Sequence, residues 1–315
     1  MATETTKKTT KTTKNKAPAT SKVSAKATTS TKVDAKKNGS APATVTKFAT
    51  KKPSLSVADK LKRLSGWFAL GYLVQAVAVV TVGTHAAAPV TASYLAVDTL
   101  ASDAAGHQVV AGAAHHLVDV RLSWVLAAYL VVLAAVQVVF TVAKPAWREN
   151  MLTRGFNELR TLALALGGGL MVLAIALLGG VTDVTLLALL TASTAGGALV
   201  LLATEDIVAN NEGKKTRLSR YTCTLAVIGM VLPWLAFAGT VAGSLMFNGH
   251  IPGYLWGIYA SMLVLFSGIA TAMHKRLFRR GKWADSAYAE RMLMALLFVA
   301  ATALTWQVYA GVLHS

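Results

Sequence analysis

Seven stretches of the chain run apolar for about twenty residues or more, and short segments between them hold nearly all the charge. At 1.5 Å rise per residue, about 20 apolar residues cross the hydrocarbon core of a bilayer as a helix. The pattern therefore predicts membrane spans over 64–83, 122–143, 158–180, 184–204, 219–246, 253–274 and 288–312. Ser56 with Asp59 three residues on has capping-box spacing, so a short helix is expected to start there and bring Lys60, Lys62 and Arg63 to the membrane surface. Only one connection, residues 84–121, is long. Its Thr-Ala-Ser-Tyr-Leu stretch after Pro89 and the Val-rich stretch near Val109 suit two short strands paired as a hairpin.

Composition agrees with an all-α membrane protein: apolar residues make up 54% of the 315 and charged residues only 14%. A soluble domain carries about a quarter charged residues. The net charge of +17 is unevenly spread, because residues 1–52 hold 13 lysines against Glu4 and Asp34. That Lys/Thr/Ala-rich segment is too poor in apolar residues to offset its ordering entropy, and it reads as a disordered tail preceding a membrane domain over 53–315. It lacks the apolar run of a signal peptide. A solvated spacer is its first reading and attraction to anionic lipid its second, with nucleic acid disfavoured.

Charge also fixes an expected orientation. Of the chain's 31 Lys and Arg, all but Arg121 fall on one side: in the tail, in the residues just before the first span, or in and at the edges of the connections after the second, fourth and sixth spans. The positive-inside rule then puts the N-terminus in the cytoplasm, and seven spans put the C-terminus outside the cell membrane.

The spans offer little chemistry. Glu158, Arg160, Asp183, Glu290 and Arg291 fall at span ends, leaving Gln75, Gln137 and scattered Ser and Thr inside. Transporters normally need ionisable groups at depth, so an ion path is disfavoured. His85, His107, His115, His116, His250 and His314 gather on the expected outer side and His274 alone on the inner. No ligand spacing accompanies them, so solvated loop histidines are preferred to a metal site. Gly167-Gly168-Gly169 lacks the Lys and Ser/Thr of a phosphate loop and suits close helix packing. Pro233 is expected to kink the fifth span, with Trp234 facing the bundle. The lone Cys223 has no partner for an intrachain disulfide and reads as a small buried residue. No nucleophile stands with a base in the sequence, so an enzyme is not expected.

The final third is more specific. IPGYLWGIYAS (251–261), GKW (281–283), Glu290-Arg291 and ALTWQVYAGVL (303–313) occur in order. Pro233-Trp234, Asp183, Arg160, PVTASYL (89–95) and Arg63 with Gly66 and Phe68 precede them. Together these resemble the heliorhodopsin family across 58–315. The resemblance implies a rhodopsin-like seven-helix bundle of inverted topology, a retinal-binding light sensor that is usually a homodimer and has no established pumping.

It also implies where the chromophore would be held, and there the chain departs. The position of the family's Schiff-base lysine is Ala301, that of its carboxylate counterion Ala163, and that of the neighbouring serine Leu297. Two family histidine positions are Ala69 and Gln137. An imine requires a primary amine, which alanine lacks. A buried carboxylate without its cation is costly, so losing both together is self-consistent. The expectation is a heliorhodopsin-like protein with no covalent cofactor, acting as a retinal-independent sensory, ligand-binding or interaction module. A residual pocket would involve Gln137, Leu164, Pro233, Trp234, Phe266, Ser267 and Trp306. The alternative is a light sensor that binds retinal or a carotenoid non-covalently, with a channel or transporter behind it.

Overall fold

A computed structural model describes residues 56–211 and 216–314. The tail therefore lies outside the described residues. Among these, the seven long apolar helices are α1 (Val57–Val82), α3 (Leu122–Val142), α5 (Glu158–Leu178), α6 (Val184–Asn210), α7 (Arg217–Met246), α8 (Gly253–Leu277) and α9 (Ser286–Val308). A π turn, Tyr309–Leu313, prolongs the last. Two shorter helices, α2 (Thr99–Ala105) and α4 (Pro145–Arg154), sit in connections. Each expected span is present.

Local signals set the helix starts. Ser56 Oγ accepts from the Asp59 amide at 3.2 Å, and Asn157, Asp183, Thr216 and Asp285 cap α5, α6, α7 and α9 in the same manner. The capping signal at Ser56 opens α1 itself rather than a separate short helix, because no breaker follows to end it. Likewise α6 runs six residues past the expected end at 204, carrying Glu205 inside the helix. α7 continues unbroken through Pro233.

Helix order in the bundle follows the chain, with α1 beside α3, α3 beside α5, α5 beside α6, α6 beside α7, and α9 closing between α8 and α1. The glycine triplet allows the central approach. A Cβ on Gly167 would stand 2.8 Å from Leu133 Cδ2 of α3, and one on Gly169 would stand 3.2 Å from Thr191 Cγ2 of α6. α6 and α7 meet more closely still. A Cβ on Gly229 would lie 3.1 Å from the Gly197 Cα, and Ser193 Oγ donates to the Gly229 carbonyl at 2.7 Å. α7 and α8, by contrast, keep their backbones apart. Aromatic rings bridge that seam: Phe237 stacks on Tyr259 at 5.7 Å and Trp234 meets Phe266 at 5.7 Å.

The long connection is a hairpin of β1 (Ala87–Asp98) and β2 (Val109–Arg121), with α2 at its tip. Its strands are longer than the two short ones expected. Register runs from Ala87 opposite Arg121 to Asp98 opposite Val109, with a bulge at Val90/Thr91. The hairpin is tied to the start of α6, where the Thr91 amide donates to the Thr182 carbonyl at 2.8 Å and the Ser93 amide to Asp183 Oδ2 at 3.2 Å.

Hydrogen bonds from Ser93 and from the Leu186 amide hold the Asp183 carboxyl below its ordinary value. A lowered value means the tie is complete above the usual aspartate range, about pH 4, and fades as pH falls through the lowered value. Protection of the Ser93 amide, its exchange relative to an unstructured peptide at the same pH, is therefore expected to be high at neutral pH, to fall on strong acidification, and to be low at all pH in Asp183→Ala. Equal protection in that variant would refute the tie.

Candidate functional site

Two places inside the bundle carry the candidate chemistry. The first is the interior around Ala163, Leu297 and Ala301, all of them buried. Ala163, Leu164 and Leu297 line a cavity of about 30 Å³ with Phe266, Tyr129 and Gly167. Ala300 rather than Ala301 completes its α9 wall, and Ala301 is packed in the core. That volume accommodates about two water molecules. A second cavity of about 60 Å³ shares Leu164 and Phe266 and extends past Cys223 towards Leu277. α9 contains no lysine, since Lys282 is the last in the chain and precedes it.

The other sequence-selected residues are dispersed. Gln137 is buried towards the basic end of the bundle, accepting at Oε1 from Ser65 Oγ at 2.6 Å. Pro233 is buried in α7, while Trp234 lines an open groove of about 290 Å³ at the α7–α8 seam with Phe237, Trp256 and Tyr259. The Trp234 indole Nε1 is buried there without a hydrogen-bond partner. Ser267 is exposed on α8, and Trp306 is 42% exposed, set edge-on to Tyr309. Neither reaches the cavity beside Ala163.

The second place was not foreseen. From the sequence, Arg160 and Glu290 are span-end charges and Arg276 is one of a row of loop charges. The structure instead buries all three with Glu205, each at most 6% exposed. Arg160 pairs with both Glu205 and Glu290 through separate guanidinium nitrogens. Arg276 crosses the same carboxylates, with Nη2 2.6 Å from Glu290 Oε1 and Nη1 3.3 Å from Glu205 Oε1. Asn157 donates from Nδ2 to Glu290 Oε2 at 3.0 Å, and its Oδ1 accepts the Arg160 amide at 3.2 Å. Arg276 Nη2 also donates to the Gly155 carbonyl at 3.2 Å. Two cations and two anions thus cancel, with donors aimed at acceptors from α5, α6, α8 and α9. The expectation that the bundle interior holds only uncharged polar groups is corrected. The sequence gives little signal for the cluster, because Glu205 directly follows the apolar span that ends at 204 and reads as one more span-end charge.

Histidine and carboxylate groups elsewhere do not converge. His116 Nε2 lies 3.0 Å from Asp119 Oδ1 on the exposed hairpin, and no group of three potential ligands surrounds a metal position among the described residues.

Comparison with known families decides the identity of the fold. The heliorhodopsin family model matches residues 61–313, from the first turns of α1 to the end of the π turn. The chain belongs to the heliorhodopsin family. It is accordingly a multi-pass membrane protein, and the matched residues take in the hairpin and all seven candidate spans but for the first turn of α1. No curated protein matches the sequence. Within this heliorhodopsin, the uncharged cavity and the four-charge cluster occupy different levels of the same helices. Ala163 lies about one turn further along α5 than Arg160, and Leu297 about two turns further along α9 than Glu290.

Proposed function

We propose that this heliorhodopsin forms no retinal Schiff base and works as a retinal-independent sensory, ligand-binding or interaction module. The carrying observation is the interior beside Ala163 and Leu297: about 30 Å³, apolar, with no amine on the α9 wall. The residues present do not fit a covalently held retinal. Neither the nucleophile for an imine nor a carboxylate to balance its charge is there, and the space is far smaller than a C20 polyene.

In this reading the basic end of the bundle faces the cytoplasm of the cell membrane and the hairpin faces outside, which the distribution of Lys and Arg supports. The basic tail then lies beside anionic inner-leaflet lipid. The protein is a homodimer by family likeness. Signals pass through the basic loops rather than through a conduction path, because the buried charges form one mutually neutralised cluster.

A second reading has its own observation. The α7–α8 groove of about 290 Å³ is walled by Trp234, Phe237, Trp256 and Tyr259, aromatic faces on which a polyene can stack. A retinal or carotenoid held there non-covalently would give a light sensor without imine chemistry.

One experiment separates these. The protein is expressed with all-trans retinal, purified, and its visible spectrum recorded before and after hydroxylamine. The wild type is expected to show no band. A band that hydroxylamine bleaches in Ala301→Lys with Ala163→Glu would mean that the interior opens around retinal once the chemistry is restored, and colour in neither that the space is closed. A wild-type band that resists hydroxylamine would move the function to the groove, and one that bleaches would overturn both readings.

A further inference from the structure

Beside the four-charge cluster, the α4–α5 turn and the ends of α6 and α8 enclose a small polar notch at the basic end of the bundle. Arg154, Arg276 and Arg279 line it with Gly155, Glu205 and Ala209. Its enclosed part is about 20 Å³, room for one oxygen-sized group, and the rest is open. We propose that this notch binds a phosphoryl group, one oxygen seated inside and the others held at the mouth by Arg154 and Arg279.

The charge balance points to an anion. Arg160 and Arg276 are neutralised by Glu205 and Glu290, so Arg154 and Arg279 add positive charge that no ion pair among the described residues cancels. Among the described residues neither of these two guanidinium groups meets a carboxylate or any other hydrogen-bond partner. Arg276 is fixed by its bonds to Glu205, Glu290 and Gly155, yet its Nε is buried without a partner. Native interiors rarely leave such a donor unpaired. Planar guanidinium donors on a rigid frame are the usual means of holding phosphate oxygens.

Backbone geometry supports a built site. α4 ends on Gly155 at φ 68°, and the position of an added Cβ there lies 3.9 Å from Arg279 Nη2. That separation is ordinary van der Waals contact, and it places the Arg279 guanidinium beside the α4–α5 turn. Arg279 itself adopts φ 47°, a left-handed position after a helix that glycine usually fills. The Arg280 amide bonds the Lys275 carbonyl at 2.9 Å across that turn and holds it. An arginine kept in glycine's conformation puts its charge where the turn directs it.

A phosphoryl group could belong to a lipid headgroup or to a soluble ester, and the test distinguishes the two. Full-length protein is reconstituted in phosphatidylcholine nanodiscs with or without phosphatidic acid, and inorganic phosphate is titrated into the lipid-neutral sample by calorimetry. Phosphatidic acid retention is read by native mass spectrometry. Arg154→Gln with Arg279→Gln is expected to weaken the binding seen at least tenfold. Arg63→Gln with Arg220→Gln removes the same charge from exposed sites outside the notch and is expected to leave it unchanged. Phosphate binding in neutral discs identifies a soluble ligand, and retention of phosphatidic acid alone identifies a headgroup. Absence of both, or equal loss in the two double variants, would overturn the proposal.

Discussion

Glu290→Ala is expected to destabilise the bundle by about 3–5 kcal/mol, the effect of removing one partner from a buried ion pair. The residue is fully buried, and its carboxylate receives Arg160, Arg276 and Asn157 together. Without it two guanidinium groups share the one remaining acid, Glu205, out of water. The opposite result is expected when all four charges go. Arg160→Met, Glu205→Leu, Arg276→Met and Glu290→Leu combined leave no charge to solvate, and well-packed apolar replacements for buried ion pairs are often neutral or stabilising. Thermal unfolding in detergent, followed by circular dichroism, distinguishes the two. A single variant as stable as the wild type would show that water reaches the cluster and that the pairs are not buried in solution.

A second large effect is expected at the α6–α7 contact. Gly197→Ala places a methyl 2.8 Å from the Ala226 carbonyl oxygen and 3.1 Å from the Met230 amide nitrogen. Both are backbone atoms and cannot swing aside, so the helices must separate and give up packing along their length. Overpacking of this kind costs about 1–3 kcal/mol. Its neighbour is the control, for a Cβ on Gly196 meets nothing within 4 Å. Gly196→Ala should be neutral or slightly stabilising, since alanine is the better helix former by about 1 kcal/mol. Indistinguishable unfolding midpoints for the two variants would mean that α6 and α7 do not pack through Gly197.

The comparison explains what could be read before the fold was known. Span number and hairpin position came from hydropathy and turn composition, because a bilayer-length apolar run has few other meanings. The family was legible from motifs scattered over 58–315 and densest in α7 to α9, and the family match covers 61–313. The ionic cluster was not legible, for a specific reason. One-dimensional charge counting assigns an arginine at a span end to the loop, whereas Arg276 falls one residue inside the end of α8 and turns inward. Glu205 was hidden because α6 extends a further turn and a half beyond its apolar stretch. Which interior voids persist also escapes the sequence. It depends on how Leu164, Leu297 and Phe266 settle against one another, which is a question of side-chain packing rather than pattern.

The cluster binds α5, α6, α8 and α9 but takes no residue from α7. Four helices are thereby bolted into one frame at the basic end, while α7 leans on α6 through glycines and meets α8 through side chains, aromatic rings among them, with no ion pair between the two among the described residues. Mechanically the molecule resembles a door hung in a rigid jamb. Swinging α7 about its line of contact with α6 would slide rings past one another and break no ion pair among the described residues, so the cluster does not oppose an opening at the α7–α8 seam.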